Sequence, residues 1–288
     1  MTLQEINRNI SNSNPTFIFI DGSYFCFYRY HSLLNWWKNA YPEENDVLQN
    51  PYQNDKFVDK FKKIFIDNIK KIPKNLKLDK SINPIIIVGK DCKREHIWRN
   101  QLFQNYKANR LQNDGFMGGP FFKMVYEDNL FIEGGAQTIL THPKLEADDC
   151  IAISVKYLLN TYSTCNIYII TSDKDYLQLA QECVQIYDLA FKKLTEQKSS
   201  TGDPKCDLFC KILTGDPSDN ISSVFPRCGP KTAMKYYQNQ ELFKQKLQES
   251  TTFQTSYELN SKIIDFNNIP EELAQEFLQE LALKFNTI

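Results

Sequence analysis

Three features are scarce or missing in this chain of 288 residues, and each absence excludes a class of protein. No apolar run reaches the roughly eighteen residues that a membrane-spanning helix needs, so we expect no membrane partner. Residues 1–15 are rich in Asn and Ser and lack the basic and apolar regions of a signal peptide. The eight cysteines include no Cys-x-x-Cys pair, and Cys206 and Cys210 have no His-x-x-His companion. We therefore predict an intracellular, reducing location and no zinc site.

An excess of charge of either sign is also missing, because 34 basic residues stand against 35 acidic ones. The hydrophobic content of 42% and the charged content of 24% are typical of a globular protein with one large domain or two unequal lobes. A net charge of −1 does not exclude nucleic acid, because the distribution of charge matters more than its sum. Nine acids fall into the groups described below, and the basic residues outnumber the 26 acids that remain of the 35.

Residues 146–175 carry two groups of acids, one at the start of a predicted helix and one after a predicted strand. The apolar patterns predict the helix over Cys150–Leu159 and the strand over Ile167–Thr171. Asp148 shares the helical face of Ile151 and Val155, where a charge is costly unless it is paired or binds a metal. Acids in a first helical turn also interact favourably with the helix dipole, which is the alternative interpretation. Five acids in this pattern nevertheless favour a cation site: Glu146, Asp148, Asp149, Asp173 and Asp175.

Two further apolar runs predict buried strands that lead to acids. Phe17–Ile20 is followed directly by Asp21, and Pro84–Val88 is followed three residues later by Asp91. Helices are predicted between them over 24–37 and 57–72. Strands separated by helices indicate a parallel α/β sheet, in which the carboxyl ends of the strands share one edge and bind ligands there. An Asp-Gly pair alone is more often a turn or a helix N-cap.

Basic and glycine-rich segments follow the second strand. Residues 90–110 are basic with interleaved aromatics, which suits a nucleic-acid backbone with bases stacking nearby, although a solvated amphipathic helix is the alternative. Residues 111–141 hold half of the ten glycines and predict a mobile loop or lid. Farther along, Gly229 to Ala233 precede a predicted helix and offer free N–H groups to a phosphate.

These motifs together resemble the 5′-nucleases of the flap endonuclease superfamily, particularly the bacteriophage enzymes and the 5′-nuclease domain of bacterial DNA polymerase I. Five motifs carry the resemblance, in family order, between about residues 17 and 237. They are Phe19-Ile20-Asp21-Gly22-Ser23, Tyr106-Lys107-Ala108-Asn109-Arg110, Glu146-Ala147-Asp148-Asp149, Thr171-Ser172-Asp173-Lys174-Asp175, and Gly215-Asp216-Pro217-Ser218-Asp219-Asn220 with Gly229-Pro230-Lys231-Thr232-Ala233.

The resemblance implies an α/β fold of the PIN-like 5′-nuclease type, with a central, mostly parallel sheet and helices on both faces. It further implies a helical arch inserted at about 99–141 and a helix–three-turn–helix at about 207–237. The implied organisation is a polar tail over 1–15, a nuclease α/β domain over 16–190 and a helical C-terminal subdomain over 204–288.

The resemblance also implies two Mg²⁺ ions, with Mn²⁺ as a substitute. Such ions are expected to bind oxygen ligands and not His or Cys. They activate a bound water and stabilise the leaving oxygen. Without metal, the clustered acids should repel one another and some should take up protons. The implied ligands are Asp21, Asp91, Glu146 and Asp148 for one ion and Asp173, Asp175 and Asp216 for the other, with Asp149 and Asp219 nearby.

The implied partner is DNA with a 5′ flap, a 5′ overhang or a nick, with an RNA–DNA hybrid as a further possibility, bound by a monomer. Lys107 and Arg110 match the pair that contacts the scissile phosphate, and Lys107 is our candidate for stabilising transition-state charge. Tyr106 is a candidate for stacking on the terminal base. The helix–three-turn–helix of relatives also binds a monovalent cation, which implies K⁺ here. The other candidate nucleic-acid-binding residues are Arg29, Arg99, Lys211, Gly229, Lys231 and Thr232.

Two positions depart from the family pattern. Asp91 follows Val88-Gly89-Lys90 where relatives have an apolar residue and Phe directly before the acid, and one extra residue precedes the Tyr106-Lys107 motif. Arg227 replaces the first Gly of a Gly-x-Gly, which weakens the duplex grip or the cation site, or else adds a phosphate contact. A PIN-type ribonuclease, a catalytically weak DNA-binding protein and a phosphatase using Asp173 and Asp175 are rival functions. The intact acids and the hairpin favour the nuclease.

Overall fold

The apolar runs of the sequence form one five-stranded parallel sheet with the strand order β3-β2-β1-β4-β5. The computed structural model describes residues 14–112 and 115–285, so most of the predicted polar tail over 1–15 lies outside the described residues. In the register of the sheet, Asp21 at the end of β1 lies beside Gly89 of β2. The strands are β1 (Thr16–Asp21), β2 (Ile85–Gly89), β3 (Thr138–Leu140), β4 (Asn166–Ile170) and β5 (Val184–Tyr187).

Helices cover both faces of this sheet, as predicted. Alternate residues of β1 face opposite ways, so that Ile18 packs with Phe25 and Phe61 on one side and Phe17 packs with Ile151 on the other. The helices are α1 (Gly22–Ala40), α2 (Asp55–Lys70), α3 (Ile72–Asn75), α4 (Gly119–Glu127), α5 (Leu130–Glu133), α6 (Ala147–Thr161), α7 (Pro204–Thr214), α8 (Pro230–Gln238), α9 (Gln240–Gln248), α10 (Thr251–Ile264) and α11 (Glu271–Phe285). None of the helices in the described ranges is long and apolar enough to cross a membrane.

The C-terminal helices form a second, smaller core. Leu213 of α7, Ala233 of α8 and Phe243 of α9 are buried together, next to Val224 and Phe225 of the connecting turns. The last helix does not join this core. Its apolar residues, including Phe277 and Leu281, pack in the cluster formed by α6 and the sheet. The predicted subdomain over 204–288 is therefore wrong at its end, because the apolar stripe of α11 covers the nuclease domain.

The glycine-rich segment is more regular than predicted. Within 111–141, helix α4 buries Phe121 and Val125 in the core, and β3 pairs with β2 at the edge of the sheet. The prediction of a mobile loop, and of an arch that extends to 141, is therefore wrong for residues 119–141. The five glycines hid the helical spacing of Phe121, Met124 and Val125, all of which are buried. Residues 113 and 114 of the predicted arch lie outside the described residues.

Short 3-10 turns occupy most of the remaining connections. The basic segment 90–110 contains three such turns joined by irregular chain, and it does not form the amphipathic helix that was the alternative. The turns lie at Pro42–Gln49, Pro51–Gln53, Arg94–His96, Trp98–Gln101, Ala108–Gln112, Lys174–Leu179, Leu194–Glu196, Pro217–Asp219 and Phe266–Asn268.

Candidate active site

The first acid of the site lies where β1 ends and α1 begins. Asp21 caps α1 by accepting a hydrogen bond from the N–H of Tyr24 at 3.1 Å, and its other oxygen accepts one from Thr171 Oγ1 at 3.2 Å. Gly22 allows the chain to turn here beside the end of β2. A Cβ at this position would lie only 2.6 Å from the carbonyl oxygen of Gly89, so any larger residue would push the two strand ends apart.

Asp91 is brought into the same site despite its unusual sequence context. Its Oδ2 accepts a hydrogen bond from Ser23 Oγ at 2.5 Å, and its Oδ1 accepts one from the N–H of Ala147 at 2.8 Å. The carboxylate therefore joins the start of α1 to the start of α6. Although Lys90 separates Asp91 from the end of β2, Asp91 lines the same cleft as the other acids.

The acids open onto a cleft of about 360 Å³, lined by Asp21, Asp91, Glu146, Asp148 and Asp173 together with Lys107 and Arg110. Within the two described ranges, four of these acids have no Lys, Arg or His nitrogen within 4.0 Å. They are Asp21, Asp91, Asp148 and Asp173. This uncompensated negative charge, on oxygen donors alone, fits a hard divalent cation.

The pKa values of the site acids reflect this excess of negative charge. Burial, followed by the charges of Asp91 and Asp173, raises the pKa of Asp21 to about 7. Burial and the neighbouring Asp149 likewise raise the pKa of Asp148 well above its usual range. Proton uptake by clustered acids, as expected from the sequence, is one way to lower this repulsion. A divalent cation is the other.

A second group of acids lies beside the first. Asp175, Asp216 and Asp219 can bring one oxygen each within 4.8 Å of one another. Lys211 Nζ lies 2.5 Å from Asp216 Oδ2 and 2.7 Å from Asp175 Oδ1. Burial alone would raise the pKa of Asp216, but hydrogen bonds from Lys211 and Ser218 outweigh it and hold the pKa at about 2. Burial and the charge of Asp173 dominate at Asp175, whose pKa is raised to about 6.

These shifts predict an unusual pH dependence of stability in a chelating buffer. A carboxyl group with a raised pKa binds protons more tightly in the folded state than in the unfolded state, where its pKa is about 4. Because Asp21 titrates near 7 and Asp175 near 6, the free energy of unfolding should fall as pH rises from 5 to 7. Urea denaturation in EDTA at several pH values measures this slope.

The matched variant for this measurement is Asp21→Asn, which should remove much of the fall. His31 acts in the opposite direction, since burial lowers its pKa, and both proteins share that contribution. With saturating Mg²⁺ the slope should reverse, because protons and the cation compete for the same carboxylates. A free energy of unfolding that rises with pH in EDTA in both proteins would contradict the raised pKa of Asp21.

Two basic side chains predicted to contact the scissile phosphate lie at the border between the two acidic groups. Lys107 Nζ lies 2.6 Å from Glu146 Oε1 and 3.7 Å from Asp219 Oδ2. Arg110 pairs with Asp219 through its guanidinium group. The backbone N–H of Lys107 also donates to the carbonyl oxygen of Asp219 at 3.0 Å. The turn that carries both cations is thus anchored to the loop after α7.

Arg99 and Asp149 have structural contacts that the sequence analysis did not anticipate. Arg99 is 2% exposed and Asp149 is fully buried. The guanidinium of Arg99 donates to both oxygens of Asp149, at 2.7 and 2.8 Å, and to Glu146 Oε2 at 3.0 Å. Trp98 Nε1 donates to Asp149 as well. The prediction that Arg99 binds nucleic acid is therefore wrong. Asp149 is engaged by Arg99 through both oxygens, although one of its oxygens also lies within 4.8 Å of oxygens of Glu146 and Asp148.

Tyr106 is also placed differently from the prediction. Its ring is buried in a cluster with Ile97, Ile212 and Ile263, and its hydroxyl group donates to Glu146 Oε2 at 3.0 Å. Stacking on a terminal base is excluded by this burial. The pattern of basic and aromatic residues in 90–110 could not distinguish a buried ring or guanidinium from an exposed one, because the partners that bury them lie far along the chain.

The remaining basic candidates are distributed around the two acidic groups. Lys211 and Lys231 line a second cleft of about 700 Å³, in which the sequence analysis missed Lys174 and Lys198. Gly229 caps α8, and Thr232 lies exposed in its first turn. Arg29 is not among the residues of either cleft; its guanidinium is largely buried, 4.6 Å from the ring centre of Tyr28.

Two aromatic residues at the first cleft were missed as well. Phe27 of α1 and Phe122 of α4 line it, and Phe27 is 50% exposed. The helical pattern of α1 places Phe27 among other aromatic residues, so nothing in the sequence marked it as a surface residue.

The sequence matches the family described as 5′-3′ exonuclease, N-terminal resolvase-like domain, over residues 16–204. The chain belongs to this 5′-3′ exonuclease family. The matched range contains all five strands of the sheet and the carboxylates that follow them. It confirms the predicted superfamily.

Known proteins extend the likeness beyond this range. The 5′-3′ exonuclease of Buchnera aphidicola subsp. Acyrthosiphon pisum is 31% identical over 234 residues, which cover 78% of this chain and 71% of that protein. The ribonuclease H of phage T4 is 27% identical over 215 residues, covering 67% of this chain and 68% of that protein. The structure of the phage T5 D15 protein with metal ions has a TM-score of 0.62 at 14% identity, over 93% of this chain and 99% of that chain. This likeness confirms the predicted fold.

Proposed function

We propose that this protein is a metal-dependent 5′-nuclease that hydrolyses phosphodiesters near the 5′ end or the 5′ flap of DNA during replication or repair. The observation that carries the proposal is the cleft at the carboxyl ends of the strands. There, four carboxylates without a cationic partner among the described residues lie beside Lys107 and Arg110. Membership of the 5′-3′ exonuclease family supports the nuclease class. A phosphatase would not use the second acidic group.

The proposed cofactors are two Mg²⁺ ions, for which Mn²⁺ can substitute. Bound ions of this kind supply a nucleophile from water and stabilise the leaving oxygen. A T5 5′-exonuclease structure contains zinc, which supports divalent ions as a class for the fold. Asp149 is left out of the direct ligand set because it is fully buried and its charge is already paired with Arg99. The proposed ligands are Asp21, Asp91, Glu146 and Asp148 for the first ion and Asp173, Asp175, Asp216 and Asp219 for the second.

The protein's own cations have separate proposed roles. Lys107 and Arg110 border the cleft that holds the acids, so they can bind the scissile phosphate and offset the charge that develops on it. Lys211, Lys231 and the start of α8 border the larger cleft, which suits the phosphates of a duplex. We also propose that the turns before α8 hold K⁺, as the resemblance implies.

The proposed substrates are a 5′ flap, a 5′ overhang and a nicked duplex, bound by a monomer. A structure of the T5 flap endonuclease contains DNA, which supports DNA as the partner. The RNA strand of an RNA–DNA hybrid is a second candidate, favoured by the relative named ribonuclease H. We further propose that a single-stranded 5′ end passes over the turns within 99–112, the part of the predicted arch that lies before α4.

The experiment that tests the proposal uses the full chain and a duplex with a 5′ flap labelled at its 5′ end. In Mg²⁺ or Mn²⁺ we expect release of a short labelled product, and in EDTA we expect none. Matched substrates carry a 3′ flap, a bulky group on the 5′ end or RNA in the flap strand. The 3′ flap tests whether a free 5′ end is needed, the bulky group tests whether the 5′ end must be threaded, and the RNA flap tests whether RNA is cleaved.

The outcomes separate the rival functions. Equal cleavage of the 5′ and 3′ flaps would remove the 5′ specificity and leave a general nuclease. Tight binding of the flap without cleavage in either metal would contradict the enzyme and indicate a structure-specific DNA-binding protein. Cleavage of RNA alone would favour the PIN-type ribonuclease.

Arg227→Gly should raise the free energy of unfolding by about 1 kcal/mol, because a side chain in the left-handed region costs about 1–2 kcal/mol. Arg227 has a φ of 59°, in the left-handed region that favours glycine, and the resemblance implies a glycine at this position. Urea denaturation measures the gain, part of which is offset by the greater chain entropy of glycine.

Arg227→Ala is the control, since it removes the guanidinium and keeps the left-handed backbone. No gain in stability is expected for Arg227→Ala, and an equal gain in both variants would contradict the strain. Flap affinity distinguishes the two interpretations of this departure. A loss in both variants indicates a phosphate contact by Arg227, whereas a gain in the Gly variant alone indicates closer approach of the backbone.

A further inference from the structure

Lys211 holds two of the carboxylates that the second metal would need. Its Nζ lies 2.5 Å from Asp216 and 2.7 Å from Asp175, and these acids belong to the group whose oxygens can meet within 4.8 Å. The lysine comes from α7 and the acids come from the turn after β4 and the loop after α7. The ammonium group therefore already bridges two segments that a divalent cation would bridge.

Lys107 has the corresponding position between the two acidic groups. Its Nζ contacts Glu146 at 2.6 Å and lies 3.7 Å from Asp219. Glu146 is a proposed ligand of the first ion, and Asp219 belongs to the second group. Both lysines are thus directed at proposed metal ligands, although their proposed role is to bind the phosphates of the substrate.

An ammonium group and a divalent cation compete at these oxygens. Mg²⁺ binds carboxylate oxygens at about 2.0–2.1 Å and demands a nearly ideal octahedral geometry. An ammonium group 2.5 Å from Asp216 Oδ2 would share the same oxygen and repel the ion. The lysines have room to leave, because Lys211 is 23% exposed and lines the cleft of about 700 Å³. Lys107, 13% exposed, lines the cleft of about 360 Å³.

We propose that binding of divalent cations displaces Lys107 and Lys211 from their carboxylate partners and so frees both ammonium groups to bind substrate phosphates. This inference rests on the proposed function for the identity of the phosphate. It assigns the lysines a second role, as internal cations that hold the acidic loops together until metal arrives. Since coupling between two ligands is reciprocal, phosphate binding by the freed lysines should in turn tighten metal binding.

Acylation of lysine residues, followed by mass spectrometry of the full chain without DNA, tests the displacement directly. An ammonium group held between carboxylates reacts slowly, whereas a freed side chain reacts as an ordinary surface lysine does. We expect Mg²⁺ to increase modification of Lys107 and Lys211 several-fold. Lys174 and Lys231 are the internal controls, because they line the same cleft as Lys211 and make no ion pair within the described ranges.

Calorimetric titration with Mg²⁺ provides a second, independent measurement. Lys211→Met should tighten Mg²⁺ binding by about tenfold, within the usual range of coupling between sites. Lys231→Met is the matched control, since it removes the same charge from the same cleft without removing a competitor. Its affinity for Mg²⁺ should change much less than that of Lys211→Met.

Three results would overturn the inference. They are unchanged acylation of Lys107 and Lys211 at Mg²⁺ concentrations that calorimetry shows to be saturating, equal effects of Lys211→Met and Lys231→Met, and no binding of Mg²⁺ at all. Neither measurement needs DNA or cleavage. A protein that frees its lysines but cuts no flap would contradict the proposed function alone, and a protein that cuts flaps with unchanged lysines would contradict the inference alone.

Discussion

Replacement of Arg99 by Met should lower the free energy of unfolding by about 3–5 kcal/mol, the cost of breaking a buried ion pair by removing one partner. Asp149 is fully buried, and Arg99 binds both of its oxygens. Arg99 Nε also donates to the carbonyl oxygen of Ile263 at 2.8 Å, which joins α10 to the nuclease domain. The variant would leave the Asp149 charge, that carbonyl group and part of Glu146 unsatisfied. Urea denaturation measures the loss.

A double-mutant cycle gives this measurement its control. Asp149→Asn removes the buried charge that Arg99 compensates, so the double variant should lose less stability than the sum of the two single variants. Strict additivity of the two losses would contradict a direct interaction. A loss below about 1 kcal/mol in Arg99→Met would resemble an exposed ion pair and contradict the structural role assigned to this residue.

Replacement of Asp148 by Asn should separate activity from stability. We expect flap cleavage to fall by more than about 100-fold, since even residues that only orient metal ligands cost up to this much. In EDTA the same variant should be more stable than the natural protein. Burial and the charge of Asp149 raise the pKa of Asp148. Above its usual pKa the folded protein must therefore either bury this charge or take up a proton, and the neutral amide avoids both costs.

Cleavage rates in Mg²⁺ and urea denaturation in EDTA, both at pH 7.5 or above, check the two parts of this prediction. Glu182→Gln, in the exposed turn before β5, removes the same charge at the opposite edge of the parallel sheet and should change neither quantity. Retained cleavage would remove Asp148 from the ligand set. Lower stability in EDTA would show that the carboxylate makes a favourable interaction in the folded protein.

Much of the sheet and most of the acids could be predicted from the sequence, because both depend on local patterns. A short apolar run such as Phe17–Ile20 becomes a buried strand wherever helices cover it, and the acid that follows then lies at the edge of the sheet. Asp173 after β4 and Glu146 before α6 likewise follow from local patterns. The structure of the glycine-rich segment was not predicted, because its five glycines favoured a loop over the helix that the spacing of Phe121 and Val125 indicates. Both residues are buried in the core.

The sequence by itself determined the chemistry of this protein, since oxygen donors, cations and their order along the chain are properties of the residues. Only the tertiary structure decided which basic side chain forms an ion pair with which acid. Arg99 contacts Asp149, which is 50 residues away in the sequence, and Ile263, which is 164 residues away. These contacts bury a side chain that was predicted to bind nucleic acid. Lys211, by contrast, stays at a cleft beside Asp175 and Asp216. Charge patterns cannot distinguish the two, because burial is decided by residues distant in sequence that fold against each side chain.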